Sequence, residues 1–192
     1  MSTSTLYRLG ALAGFLSGVC IIIGRFLARL PNTQPGEIFD VLSPFFALFF
    51  TVALYLGQRR ESGILGGVAF IVLFTGLVTL VSLDYYGAFI RIHLPEAIIE
   101  QVEEGSSAPV FVGSLLSFLL GEILFGVSVI RAKVYSKIAA ILFMAGLFPI
   151  AFHPTGIFPE SVVDLGAAAV GIGLIWWSIE LNRFAGTKMD SA

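Results

Sequence analysis

Residues 108–133 read APVFVGSLLSFLLGEILFGVSVIRAK. From Pro109 up to Arg131 the stretch holds one ionisable side chain, Glu122, among apolar residues, glycines and serines. A hydrocarbon core of about 30 Å needs about 20 residues of helix, so this stretch is long enough to cross one. It is too long and too continuously apolar for a barrel strand, which alternates in polarity over about 9–11 residues. Working outward from it, the chain resolves into six such runs, at about 6–27, 37–57, 63–83, 108–130, 136–152 and 161–181. Inside hydrocarbon every backbone N–H and C=O needs a partner within its own segment, which leaves helices as the solution. The sequence therefore predicts an all-α polytopic membrane protein: one transmembrane domain over 1–192, built as a six-helix bundle. The loops leave no room for a separate soluble catalytic domain. Composition agrees, because 57% hydrophobic against 12% charged residues, with a mean hydropathy of +0.94, cannot clothe a fold of this size in polar surface.

Orientation follows from lysine and arginine. Six spans put both termini on one side, and that side carries Arg8, Arg59, Arg60, Arg131, Lys133, Lys137, Arg183 and Lys188, against Arg25, Arg29 and Arg91 opposite. Positive charge concentrates on the cytoplasmic side of such proteins, so both termini are expected in the cytoplasm and the chain in a cell inner membrane. Trp176 and Trp177 near the inner end of the sixth run, with Tyr85 and Tyr86 at the outer end of the third, read as an interfacial aromatic belt. The first run follows Arg8 but lacks a small-x-small cleavage site with a polar mature start, so it is expected to stay as an anchor. The segment Leu16-Ser17-Gly18-Val19-Cys20 is similar to a lipoprotein box, yet Val19 is bulky where a small residue belongs. Cys20 is the single cysteine, which rules out an intramolecular disulfide and reads as a small buried residue.

The short outer loops 31–36 and 153–159 are rich in Pro and Gly, and acids follow each at the start of the next helix: Glu37 and Asp40, then Glu160 and Asp164. Helix-breaking residues and the helix dipole account for this arrangement. The longer loop predicts a short amphipathic helix on the outer surface. Glu96, Glu100, Glu103 and Glu104 share one face and Ile98, Ile99 and Val102 the other, after Pro95 and before Gly105.

Gly10, Gly14 and Gly18 form a doubled small-xxx-small pattern that permits close helix packing. Arg25 falls within about 40° of that face, so it points into the bundle near the outer rim, with Asp40, Asp84 and Asp164 as candidate partners, or reaches the outer interface. Thr75, Thr79 and Ser82 in the third run, and Ser114, Ser117, Gly121 and Ser128 in the fourth, read as packing stripes or as a polar pathway. Glu122 is the one ionisable residue well inside a run, about 13 Å from the inner edge, with no Lys, Arg or His at its depth. Intramembrane acids are costly, and an isolated one is expected to hold its proton. It then serves as a proton relay or substrate contact, or as a structural hydrogen-bond donor. The candidate functional polar residues are thus Glu122, Arg25, His153 and Asp164, with Gly10, Gly14 and Gly18 for packing. His153 and His93 lack metal-ligand spacing, and there is no phosphate loop, nucleophile elbow or clustered Cys and His. No cofactor, metal or catalytic residue is expected, and sparse basic residues give no nucleic-acid footprint.

Residues 113–183 resemble a broad group of uncharacterised bacterial multi-pass membrane proteins. The likeness rests on Phe125-Gly126-Val127-Ser128-Val129-Ile130-Arg131-Ala132-Lys133, a short basic turn, then Ile138-Ala139-Ala140-Ile141-Leu142 and Ala145-Gly146. Ser136 stands where that group often has proline. The resemblance implies a bacterial inner-membrane location and supplies no activity. The expected function is that of a structural or partner-binding membrane subunit, embedded in lipid beside a membrane-protein partner or a second copy of itself. The alternative is a small proton-coupled transporter that uses Glu122.

Overall fold

The computed structural model describes residues 3–30, 34–105, 107–153 and 156–187, the side chains of Gln34 and Thr187 excepted. The turn residues 31–33 and 154–155, and Lys188, lie outside the described residues. Among the described residues six α-helices account for most of the chain: α1 Thr3–Leu27, α2 Gln34–Tyr85, α3 Glu96–Glu103, α4 Ala108–Ala132, α5 Lys137–Ala151 and α6 Glu160–Thr187. A π-helical turn, Tyr86–Ile90, and a 3-10 turn, Arg91–His93, continue α2 toward α3. No β-strand occurs among the described residues.

The 52-residue α2 is two helices joined at Gly63, whose φ of 57° and ψ of −146° suit glycine alone. The Tyr55 ring stacks on Phe70 with centroids 4.5 Å apart, although on a straight helix these residues stand about 22 Å apart. The chain therefore doubles back into two arms, 34–62 and 64–85.

The helices then close a ring in chain order. α1 packs on the first arm, the second arm on α4, α4 on α5, α5 on α6, and α6 returns to α1. Small residues make the seams between separate helices. Gly10 lies against Ala53 and Gly14 against Phe50; Gly18 meets the Gly171 carbonyl of α6; Gly76 and Gly121 bring α2 onto the backbone of α4; Gly126 meets Met144; and Gly146 meets Gly166. Without a side chain at these positions the backbones approach closely, and dispersion then holds helices that gain nothing from hiding apolar surface from lipid. The seams run antiparallel, so residues 3 and 187 share one end of the ring, where Tyr7 packs edge-on against Phe184 at 5.5 Å. That end is called the base, and the opposite end the rim.

Polar groups lock two seams. The Ser17 and Ser43 hydroxyls each donate to the other's backbone carbonyl, at 2.8 and 3.1 Å. At the base the α4–α5 turn is held from α6: Glu180 accepts the Ser136 N–H at 2.8 Å, and the Trp177 indole donates to the Ser136 carbonyl at 3.2 Å. Past that turn, α4 and α5 pack less extensively than the other neighbouring pairs of separate helices do.

Among the described residues, four helical stretches are long and apolar enough to cross a membrane: Thr3–Leu27, Pro35–His93, Ala108–Ala132 and Glu160–Gly186. The sequence expectation of six differs for two reasons. Both arms of α2 fall in one stretch, and α5, at 15 residues, is about 22 Å long. Large apolar side chains cover the outside of the ring, among them Phe15, Phe49, Ile71, Leu116, Ile141 and Leu165.

Two sequence readings change. Trp177 is buried at 1% exposure and is no belt residue, whereas Trp176 stays on the surface. Successive helical residues point about 100° apart, and here the turn that leaves Trp176 facing outward aims Trp177 into the bundle. Thr75 and Ser82 face outward, neither packing nor lining a path, and the Thr79 and Ser82 hydroxyls bond back to carbonyls of their own helix. The loop helix is α3, with Ile99 buried and Ile98 exposed. Glu103 leaves its acidic face to pair with Arg91 at 2.9 Å.

Candidate functional site

The ring is not filled. A cavity of about 350 Å³ runs down its axis, and every helix of the ring contributes to the wall. Protein interiors pack to near crystal density, so a void of this size is a feature of the fold. α1 supplies Ser17, Ile21 and Arg25; the first arm of α2 runs from Asp40 to Leu54; the second runs from Leu73 to Asp84. The wall is mostly carbon, with aromatic rings from Phe50, Phe118, Phe125, Phe143 and Trp177. Pro44 also lies on it and removes a backbone N–H from the first arm, which bends a helix at such a point.

Glu122 opens onto the base end of this cavity. The side chain is 3% exposed, and its Oε2 is buried without a hydrogen-bond partner. Its neighbour Gly121 rests on Val72 and Leu73, and Asp84 stands some eleven residues nearer the rim on the same arm, so Glu122 lies roughly 16 Å below Asp84. Phe118 and Phe125 flank it on the cavity face of α4, at helical spacings of four and three. Below it, toward the base, the Gln58 amide and the hydroxyls of Ser62, Ser128 and Tyr135 are buried without hydrogen-bond partners. Buried polar groups are nearly always satisfied, and where protein supplies no partner ordered water does.

The other candidate polar residues gather at the rim, away from Glu122. Arg25 Nη2 lies 2.8 Å from Glu160 Oε2 and 3.4 Å from Asp164 Oδ1; Arg29 also pairs with Asp164; and His153 Nε2 lies 2.7 Å from Glu160 Oε1. Arg25, His153 and Asp164 thus form one cluster tying α1 to α6, with Glu160 at its centre. Sequence reading noted Glu160 only as a helix-start acid. Its bridging role was hidden because its partners lie on α1 and in the preceding loop. Asp40 and Asp84, the other acids considered for Arg25, line the cavity instead. Gly10, Gly14 and Gly18 are buried in the α1 seams. Among the described residues no group of His, Cys, Asp and Glu is placed to hold a metal ion.

The hydrogen bond with His153, followed by His153's charge and the bond from Arg25, holds the Glu160 carboxyl below the usual glutamate range despite its exposure. A carboxyl depressed in the folded state stabilises above its unfolded pKa of about 4.3 and loses that contribution as pH falls through the folded value. Glu160→Gln is therefore expected to lower the melting temperature slightly at pH 7. The variant and the parent should converge only once the pH has fallen below the lowered folded-state value, where both carry an uncharged side chain. A gap that persists at low pH would show that the substitution acts by some other route.

Family models, curated proteins and solved structures were compared with the chain, and none matches.

Proposed function

We propose that this chain crosses a bacterial inner membrane six times, with both termini in the cytoplasm, and that it is a small proton-coupled carrier. The observation that carries the reading is Glu122, which lines a mostly apolar axial cavity and whose buried Oε2 has no hydrogen-bond partner. A purely structural or partner-binding subunit, the simpler reading of the sequence, has no use for a void around an unpaired acid. A carrier needs both: a compartment that excludes bulk water, and a group that changes charge inside it. Asp40 and Asp84 at the rim give one approach to the cavity, and the buried, unpartnered polar groups of Gln58, Ser62, Ser128 and Tyr135 lie on the base side of Glu122, where opening of the ring would let water reach it. We place the opening of the ring at the α4–α5 seam, which is less extensively packed than the other seams between separate helices.

Two labelling experiments test this, both with the native cysteine removed as Cys20→Ser. For orientation, Glu104→Cys is expected to react with an impermeant thiol reagent in whole cells and Glu61→Cys only after the membrane is opened. The opposite pattern inverts the topology. For alternating access, Leu77→Cys, on the cavity wall, is expected to react from the outer side in cells and from the inner side in inverted vesicles. Reaction from one side only would describe a static pocket and overturn the carrier reading.

A further inference from the structure

We propose that the cavity takes a lipophilic organic cation, an apolar body bearing one substituted ammonium group, in exchange for the proton of Glu122. This rests on the carrier reading above and adds the substrate class.

Charge decides the sign of the occupant. The titratable groups facing Glu122 across the cavity are Arg25 from α1, with Asp40 and Asp84 from the two arms of α2; α5 and α6 add none to the wall. Arg25 is already engaged by Glu160 and Asp164. An anion entering from the rim would pass two carboxyls and reach a third, and the one cation on the wall, Arg25, is already ion-paired through Nη2 although its Nε has no partner. A neutral apolar molecule would fit the wall but leave Glu122 unused. A bare metal cation would find one carboxyl where a hard ion needs about six oxygens.

The wall decides the rest. Five aromatic side chains line it, two of them flanking Glu122 on its own helix, and aromatic faces attract alkylated ammonium groups while accepting apolar bodies. At about 350 Å³ the cavity is at the small end of ligand pockets, a fit for one compact molecule and too small for a peptide.

The exchange balances. An unpaired carboxylate in an apolar site is strongly disfavoured, so the empty cavity holds Glu122 as the acid. When the cation enters, the Glu122 O–H bond breaks and its proton leaves to water on the side from which the cation came. The ammonium takes its place beside the carboxylate. One positive charge enters and one leaves, and reversal on the other side returns the acid.

The test uses the purified full chain in mild detergent with Trp176→Phe, which leaves Trp177 on the cavity wall as the only indole. Its fluorescence reports binding of benzyltrimethylammonium, of the neutral isostere neopentylbenzene and of benzenesulfonate, while a pH dye counts protons. Benzyltrimethylammonium is expected to bind with release of one proton and to tighten about tenfold per pH unit. Glu122→Gln should lose both properties yet still bind neopentylbenzene, which shows that the cavity survives, and Glu122→Asp should keep proton release. Preference for the neutral or anionic probe, or cation binding without proton release, overturns the substrate class and leaves the carrier reading to the two-sided labelling. Failure of all three probes to bind overturns this proposal together with the cavity site beneath it.

Discussion

Gly121→Leu is expected to prevent the ring from closing. A Cβ at Gly121 would stand 2.9 Å from the Val72 carbonyl carbon and closer still to the Leu73 backbone. These are main-chain atoms, so no rotamer change relieves the clash and the second arm of α2 must move off α4. Overpacking a tight core costs about 1–3 kcal/mol even where side chains can shift, and here they cannot, so at least about 3 kcal/mol is expected to be lost. The matched control is Gly113→Leu on the same helix, where an added Cβ meets nothing within 4 Å. Leucine is the better helix former by up to about 1 kcal/mol, so the control should be neutral or stabilising. The buried native Cys20 gives the readout, since its reaction with a thiol dye on heating follows opening of the bundle. Equal melting of the two variants would mean that α2 and α4 are not packed through Gly121.

Glu122→Gln is expected to abolish movement driven by a pH gradient while leaving the bundle intact. Glutamine has similar volume and keeps a donor, so it can stand in for a neutral glutamic acid but cannot release a proton. In proteoliposomes with an acidic lumen, the parent chain should accumulate benzyltrimethylammonium and the variant should match protein-free vesicles. Melting of the two should agree within about 1 kcal/mol, as for an isosteric change. Infrared difference spectra check the premise, because a carboxylic C=O band present in the parent should be missing from Glu122→Gln. A carboxylate signal from this residue at pH 7 in the empty protein would remove the basis of the exchange.

How far the sequence speaks depends on what lipid does to hydrophobic patterning. In water an amphipathic stripe reveals the buried face. Here Leu116 on the outside and Leu73 inside are equally apolar, so periodicity gives the helices but not their neighbours. Glycine spacing recovers part of that information, since the face bearing Gly10, Gly14 and Gly18 is the one that meets the first arm of α2 and α6. Glu122 was visible because one acid in an apolar run stands out against its surroundings. The cavity around it was not, because its wall is assembled from all six ring segments at positions no local pattern links. The sequence leaves Arg25 either pointing into the bundle, with Asp164 among its candidate partners, or reaching the outer interface. Glu160, the nearer partner in the structure, is on the same helix one turn away, a difference smaller than sequence alone resolves.

The seam between the first and last helices sets a schedule for assembly. Gly18 meets Gly171, and about 150 residues must be made between the two. At roughly 5–20 residues per second, ribosomal synthesis takes on the order of 10 s to span that gap. During that interval α1 and the first arm of α2 can already dock, but the side of α1 that receives α6 stands open to lipid and to any passing helix. A nascent neighbour of the same sequence offers that side an α6 with an identical fit, so crowded insertion favours exchange of α6 between two chains. Slowing translation between α5 and α6 should therefore raise the yield of interlocked dimers, and an α6 synthesised separately should be able to enter a ring that lacks it.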